Sequence, residues 1–293
     1  MPPRIVVATE VVRIRPLGVA DLDAVQQLSF EAGWNQVEAD WRIFLEHGHL
    51  YGVDGPGGAV RATGATLPLG REFGWISMVI VTAAARHRGI AAQLVLYGIE
   101  DLAAQGLVPG LDATPAGRDV YGRLGFRDTW PITRLVRPGT GRVRGVAGEV
   151  APELRAAGLS DLDAVAALDH RAFGTERRAV IARLIERAPQ LAVVGWTPGA
   201  AGFLLGRFGQ TATHLGPVVA SEPAVALSMI DYAVARAPGP FVLDLVDLRP
   251  GLRAALEGRG FAAQRTFSRM YYRRAEPFGD PNFAIAIAGP ELG

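Results

Sequence analysis

Apolar positions along this chain follow two alternating periods. A strand-like run over residues 11–17 gives way to helical spacing over 20–31 and 36–46, and then to strand-like runs over 48–53 and 58–69. WISMVIVT, Trp75 to Thr82, is almost continuously apolar and rich in β-branched residues, the pattern of a central strand covered on both faces. Beyond it, Leu94, Val95, Gly98, Ile99 and Leu102 recur at intervals of three and four and mark one face of a helix. A strand over LVPGLDA, a short helix over RDVYGRL, a Gly-Phe turn and a last strand complete the series. This order predicts an α+β, or mixed α/β, fold with a sheet and flanking helices.

The pattern then starts again. IRPLGVADLDAVQQL, Ile14 to Leu28, returns as LRAAGLSDLDAVAAL, Leu154 to Leu168, at an offset of 140 residues, with Arg15 matching Arg155 and DLDAV identical. Each copy reads as a strand, a turn and a helix whose first acids, Asp21 and Asp23 or Asp161 and Asp163, suit the positive end of the helix dipole. The period is far longer than the roughly 20 to 50 residues of repeat arrays, so two similar domains are expected rather than a solenoid. The stretch Arg137 to Glu153, rich in glycine, proline and arginine, reads as the linker, which places the domains at 1–140 and 141–293.

Composition narrows the chemistry. With 293 residues, 49% of them hydrophobic, the chain can bury two cores, and its formal charge of +1 lacks the basic excess of a nucleic-acid binder. No apolar run reaches the ~18 residues of a membrane helix, and charge interrupts the opening MPPRIVVATEVVRIR before a signal-peptide core forms, so a soluble cytoplasmic protein is expected. There is no cysteine, which removes thiolate nucleophiles and cysteine-based zinc sites. There is no lysine either: all 30 basic residues are arginines, so Schiff-base and Walker-type phosphate chemistry are excluded. The five histidines, His47, His87, His170 and His214 among them, form no HExxH pair, and no metal site is expected.

One local feature can hold an anion. In RHRGIAAQL, Arg86 to Leu94, a glycine turn joins the central strand to the helix and aims backbone N–H groups and the dipole's positive end at one point. Gly89 admits an oxyanion without a Cβ in the way, Ala91 keeps the first helical turn slim, and Arg86 and Arg88 add charge-assisted bonds, so a pyrophosphate suits the turn. A second feature, DVYGRLGF, puts Tyr121 four residues ahead of Gly125 and Phe126 on a helix that ends at the glycine.

Together, Arg86, Gly89 and Ala91 followed some 30 residues later by Tyr121, Gly125 and Phe126 resemble the GNAT superfamily of acyl-CoA-dependent N-acyltransferases, whose signature is a strand, R/Q-x-x-G-x-G/A opening a helix, then Y-x-x-x-G-F. The resemblance covers roughly residues 11–137. It departs at Ala83, where the family often has proline, and at Ala91, which replaces the commoner second glycine. It implies a central, mostly antiparallel sheet flanked by helices. It also implies acetyl-CoA as co-substrate, with its pantetheine arm on the backbone of Val79, Ile80 and Val81 and its pyrophosphate in a cradle of Arg86, His87, Arg88, Gly89, Ile90, Ala91 and Ala92.

Transfer to an amine then needs no covalent enzyme intermediate, and Tyr121, with an ordinary phenol pKa of ~10, is the expected general acid for the departing thiolate. Val79 or Ile80 N–H is the expected donor to the thioester carbonyl. Glu31, Glu38, Asp40 and Glu72 are the carboxylates open to the role of base, and the sequence selects none of them. The acceptor is an amine of a small molecule or peptide, with no nucleic acid or membrane involved; oligomerisation stays open.

In the second copy HLGPVVA takes the place of the central strand, but SEPAVALSMIDYAVA lacks the arginines and glycine, and LEGRGF puts Leu256 where Tyr121 stands. The second domain is therefore read as a degenerate GNAT-like fold, ending in FAIAIAGPELG. A non-catalytic acyl-CoA sensor is the competing class; a dinucleotide enzyme is disfavoured because the first strand carries no G-x-G-x-x-G.

Overall fold

The computed structural model describes residues 10–139 and 153–293. The first half runs β1 (Arg15–Pro16), α1 (Leu22–Glu31), α2 (Glu38–His47), β2 (His49–Asp54), β3 (Val60–Leu69), β4 (Phe73–Val81), α3 (Ile90–Ala104), β5 (Val108–Ala113), α4 (Pro115–Leu124) and β6 (Phe126–Arg137). The second half repeats the order as β7 (Glu153–Ala156), α5 (Leu162–Phe173), α6 (Arg178–Arg187), β8 (Val193–Thr197), β9 (Ala200–Phe208), β10 (Thr213–Ala220), α7 (Pro223–Val234), β11 (Phe241–Val246), α8 (Pro250–Glu257) and β12 (Ala262–Tyr272). It then adds β13 (Ala284–Ala286). Most of the linker expected over 137–153 lies outside the described residues. No helix among the described residues is long and apolar enough to cross a membrane.

These elements form two compact units, and neither is a continuous stretch of chain: Ser268–Glu276 belongs with the residues up to Thr129, and Pro277–Gly293 belongs with Trp130–Phe267. The sheet of unit 1 has the order β1-β2-β3-β4-β5-β12, and that of unit 2 the order β6-β11-β13-β10-β9-β8-β7. Neighbours are antiparallel except β4 with β5 and β10 with β11, which are parallel. The last strand of each repeat thus completes the sheet built mainly by the other. In unit 1, Ser268–Tyr271 lies antiparallel to Ala113–Gly110; in unit 2, Ile132–Arg137 lies antiparallel to Val246–Phe241.

The shared DLDAV motif has a tertiary reason. In both copies the strand arginine reaches the aspartate at the helix start, Arg15 to Asp21 at 2.8 Å and Arg155 to Asp161 at 2.6 Å. The same aspartate accepts the N–H of Gly18 or Gly158. Asp21 and Asp161 therefore tie strand to helix as well as complementing the dipole. The strand expected over 11–17 shrinks to Arg15–Pro16, because Pro16 has no N–H to donate and the N–H of Val12 goes instead to the Gln93 side chain at 3.2 Å.

The apolar face of α3 is buried through Leu94, Val95, Ile99 and Leu102, and α3 packs on β3, β4 and β5. It comes close to the sheet at Gly98, where a Cβ would stand 2.7 Å from the Tyr51 hydroxyl and 3.1 Å from Ile76 Cδ1. Glycine at that position sets the helix-to-sheet spacing that fixes where the N-terminus of α3 emerges.

Candidate active site

The site begins with the way β4 leaves its neighbour. β4 pairs with β5 only over Phe73–Trp75 against Val108–Gly110, while on its other side it stays with β3 as far as Val81. From Ile76 onward no described strand pairs with that edge, so the backbone of Val79, Ile80 and Val81 has no strand neighbour on that side and can take an added strand-like partner, although Val81 O already accepts from the Arg86 side chain. A bulge reinforces the divergence. The register jumps between Thr63 opposite Ile80 and Ala65 opposite Ser77, Met78 adopts a left-handed φ of 53°, and Thr63 Oγ1 donates to Met78 O at 2.8 Å to hold the turn.

At the end of β4 the chain makes one short turn over Ala83–Ala85 and enters α3. His87 (φ 63°) and Gly89 (φ 79°) are both left-handed. For His87 this conformation is uncommon, though histidine is among the non-glycine residues enriched in it, and the residue stands exposed. Gly89 is the N-cap of α3, and the first helical bond runs from Gln93 N to Gly89 O. The amides of Ile90, Ala91 and Ala92 precede that bond and point out of the helix start. Arg86, His87 and Arg88 stand exposed around them. The sequence-expected cradle residues are thus gathered at one turn, and their donor set fits a phosphate-type anion.

Arg86 and Arg88 are steered by carbonyls of their own turn, and Arg88 also by one acid far away in sequence. Arg86 Nε donates to Val81 O at 3.1 Å, and Arg88 donates to Ala84 O at 3.1 Å. Glu10 bridges Arg61 at 2.6 Å and Arg88 at 3.5 Å. The Arg61 guanidinium, with Arg88 behind it, holds the Glu10 carboxyl below its ordinary range. Nothing in the local sequence marks Glu10, because its partners lie about 50 and 80 residues away.

Tyr121 sits on α4. That helix starts at Thr114, whose hydroxyl accepts Gly117 N–H at 3.2 Å, with Pro115 in its first turn, and ends at left-handed Gly125 (φ 111°). It begins earlier than the RDVYGRL stretch suggests, because the Thr-Pro start precedes the apolar signal. The Tyr121 ring is partly buried and packs on Phe126, 6.3 Å between centroids. It covers the same cluster of Ile76, Leu111, Ala113 and Phe126 that Val79 covers. Tyr121 and the free stretch of β4 therefore share one apolar floor. Burial pushes the Tyr121 phenol up to about 12.

Three residues from the second half of the chain support this floor, and the sequence did not point to them. Met270 belongs to the cluster. The Tyr272 ring packs edge-on against Phe126 at 5.6 Å, and Arg273 N donates to Gly125 O at 2.9 Å. Beneath them the buried Arg269 forks onto Asp112 at 2.9 and 3.0 Å.

The four carboxylates considered as base serve their own elements. Asp40 accepts Val37 N–H at the start of α2, Glu38 pairs with Arg42, Glu31 accepts from Gln27, and Glu72 accepts Arg71 N–H in the β3–β4 turn. The geometry singles out none of them. In unit 2, Leu256, the counterpart of Tyr121, is wholly enclosed in the core.

Residues 20–126 match the family model described as the acetyltransferase (GNAT) family, and residues 165–282 match a second one described as an acetyltransferase (GNAT) domain. No curated protein matches the sequence. Among solved structures, a Pyrococcus horikoshii protein provisionally named an acetyltransferase superposes with TM-score 0.78 at 17% identity, covering 96% of each chain. A GCN5-related N-acetyltransferase from Sphaerobacter thermophilus superposes with TM-score 0.64 at 14% identity, over 92% of this chain and 98% of that one. A tandem GNAT protein from the clavulanic acid biosynthesis pathway does so with TM-score 0.59 at 14% identity, over 89% and 98%. At these identities the likeness establishes the fold.

Proposed function

The chain belongs to the GNAT family of acetyltransferases, with one family domain in each half, and from that premise we propose that unit 1 moves an acetyl group from acetyl-CoA to the amine of a small molecule or peptide. The observation that carries this reading is the coincidence, in one unit, of a freed strand edge at Val79–Val81, an anion-suited helix start at Arg86–Ala92 and Tyr121 on the same apolar floor.

In this reading the backbone of Val79, Ile80 and Val81 holds the pantetheine arm as an added strand, and the amides of the α3 start, with Arg86 and Arg88, hold the pyrophosphate. A backbone N–H of Val79 or Ile80 polarises the thioester carbonyl. The amine nitrogen attacks the carbonyl carbon, the N–C bond forms and the C–S bond breaks. Tyr121 donates its phenolic proton to the sulfur as the bond breaks. An ordinary thiol, pKa ~8.5, is a stronger acid than this buried phenol, so the transfer is completed when the proton lost by the attacking nitrogen returns to the phenolate. Burial thus keeps Tyr121 in its protonated, donating form at every working pH.

Purified protein incubated with acetyl-CoA and a panel of amines is expected to release free thiol and acetylated amine. Arg86→Ala combined with Arg88→Ala is expected to weaken acetyl-CoA binding tenfold or more, by analogy with the loss of two charge-assisted bonds. Unchanged affinity in that double variant would refute the cradle.

A further inference from the structure

Unit 2 repeats the strand divergence of unit 1 and then fills it. β10 pairs in parallel with β11 only at Thr213 and His214, against Phe241 and Val242. Where the two strands part, β13 enters between them, antiparallel to both, with Ala286 opposite Val218 on one side and Leu245 on the other. Ala220 N donates to Phe283 O, and Ile287 N donates to Asp244 O, each at 3.0 Å. Ile285, Ala286, Ile287 and Ala288 are buried. The family model that matches the second half stops at residue 282, just short of this segment.

The unit is built around its occupant. Gly216 on β10 stands so close to Ile287 O that any side chain there would collide with it. Arg207, itself buried, donates to Ala288 O and to the Glu291 carboxylate. Arg177, also buried, forks onto Asp169 at 2.8 and 2.9 Å and donates to the carbonyls of Leu292 and Gly293. Gly289 is left-handed at φ 121°, and a Cβ there would meet both Arg207 and Glu291. Two buried arginines, each with its own buried acid, therefore clamp the residues that follow the strand.

We propose that residues 283–288 are a built-in strand ligand of the second cleft, seated on the edge of β10 that corresponds to Val79–Val81 in unit 1. The segment supplies what an extended amide-bearing arm would supply, a row of backbone donors and acceptors, and adds a second ladder to β11 together with buried Ile and Ala side chains. It thereby closes unit 2 to acyl-CoA and makes the cleft a structural peptide slot with alternating large and small residues as its recognised pattern. The identity of the excluded molecule rests on the acyl-CoA reading of unit 1. The occupancy of the slot does not.

Hydrogen exchange on the unaltered full chain tests this, with acetyl-CoA as the probe. The amides of Ala284–Ile287 are expected to exchange on the order of 100-fold more slowly than an unstructured segment before any ligand is added. They should stay as slow at saturating acetyl-CoA, while binding saturates at one equivalent per chain. Rapid exchange of the segment, loss of its protection on adding acetyl-CoA, or a second bound equivalent would each overturn the proposal. If acetyl-CoA binds nowhere, the function proposed for unit 1 fails, and protection of Ala284–Ile287 in the ligand-free protein still decides the slot. Gly216→Val in the full chain supplies a second test: it should abolish protection in 284–288 while leaving acetyl-CoA binding by unit 1 intact, and a variant that keeps wild-type protection there would count against the slot. Should that variant not fold, the exchange pattern of the unaltered chain remains decisive.

Discussion

At the scale of single residues, Tyr121 is the proposed general acid, and its environment sets its behaviour. With its phenol pushed up to about 12 by burial, it is protonated throughout an ordinary assay and loses its proton only as pH rises through that value. Tyr121→Phe should therefore lower kcat by roughly 10²–10⁴-fold, by a similar factor at every pH between about 6 and 9, with acetyl-CoA affinity unchanged; a pH-rate profile beside a binding titration checks both. Gly89 and Gly125 were legible in the sequence because a turn needing left-handed backbone and a helix that must stop there leave glycine in the chain, and Tyr121 was singled out by its spacing to Gly125 and Phe126, which resembles the GNAT pattern. Glu10 and Thr63 were not, since a carboxylate and a hydroxyl are ordinary surface letters until the fold puts Arg61, Arg88 and Met78 O beside them. Gly98→Ala is expected to destabilise by about 1–3 kcal/mol, because its Cβ would press on the buried Tyr51 hydroxyl; thermal unfolding measures it.

At the scale of elements, the periodicities located the helices and strands well, and their errors have physical causes. Pro16 cut short the first strand, and a Thr-Pro start carried α4 further back than its apolar residues reach. The strand-to-helix tie in each repeat has a pH dependence with a definite sign. The Arg155 guanidinium, helped by Gly158 N–H, draws the Asp161 carboxyl down to about 2, well below the ordinary aspartate range. Its contribution is thus present above about pH 4 and lost as pH falls toward 2. Arg155 is half exposed, so solvent screens the pair and the effect is modest. Denaturant unfolding of Asp161→Asn beside the parent chain should show a difference at pH 7 that disappears near pH 2. The strand Ser268–Tyr271 has more at stake. Tyr272 positions Tyr121 through Phe126, so Tyr272→Ala is expected to depress kcat several-fold with little change in the KM for acetyl-CoA, and Tyr272→Phe to restore it. Asp112→Asn would strand the buried Arg269 and is expected to cost about 3–5 kcal/mol, visible as a lowered Tm.

At the scale of the whole molecule, each unit's sheet takes in the last strand of the other repeat, so the two halves of the sequence are not independent modules. A fragment ending near residue 145 lacks Met270, Tyr272 and the strand that covers β5. It is expected to be insoluble or inactive, and solubility with a thiol-release assay would show it; a fragment turning over with the full chain's constants would contradict the exchange. The sequence by itself determined the alternation of strands and helices, the two-fold repeat, the anion-suited turn in one copy and its loss in the other. These are consequences of short-range periodicity and turn chemistry, which neighbouring residues write directly into the chain. Tertiary structure alone decided which strand completes which sheet, which carboxylate steers Arg88, and that residues 283–288 fill the second cleft. Strand pairing depends on backbone hydrogen bonds that any residue but proline can make, so partners separated by more than a hundred residues leave no mark in the side-chain pattern until the chain has folded.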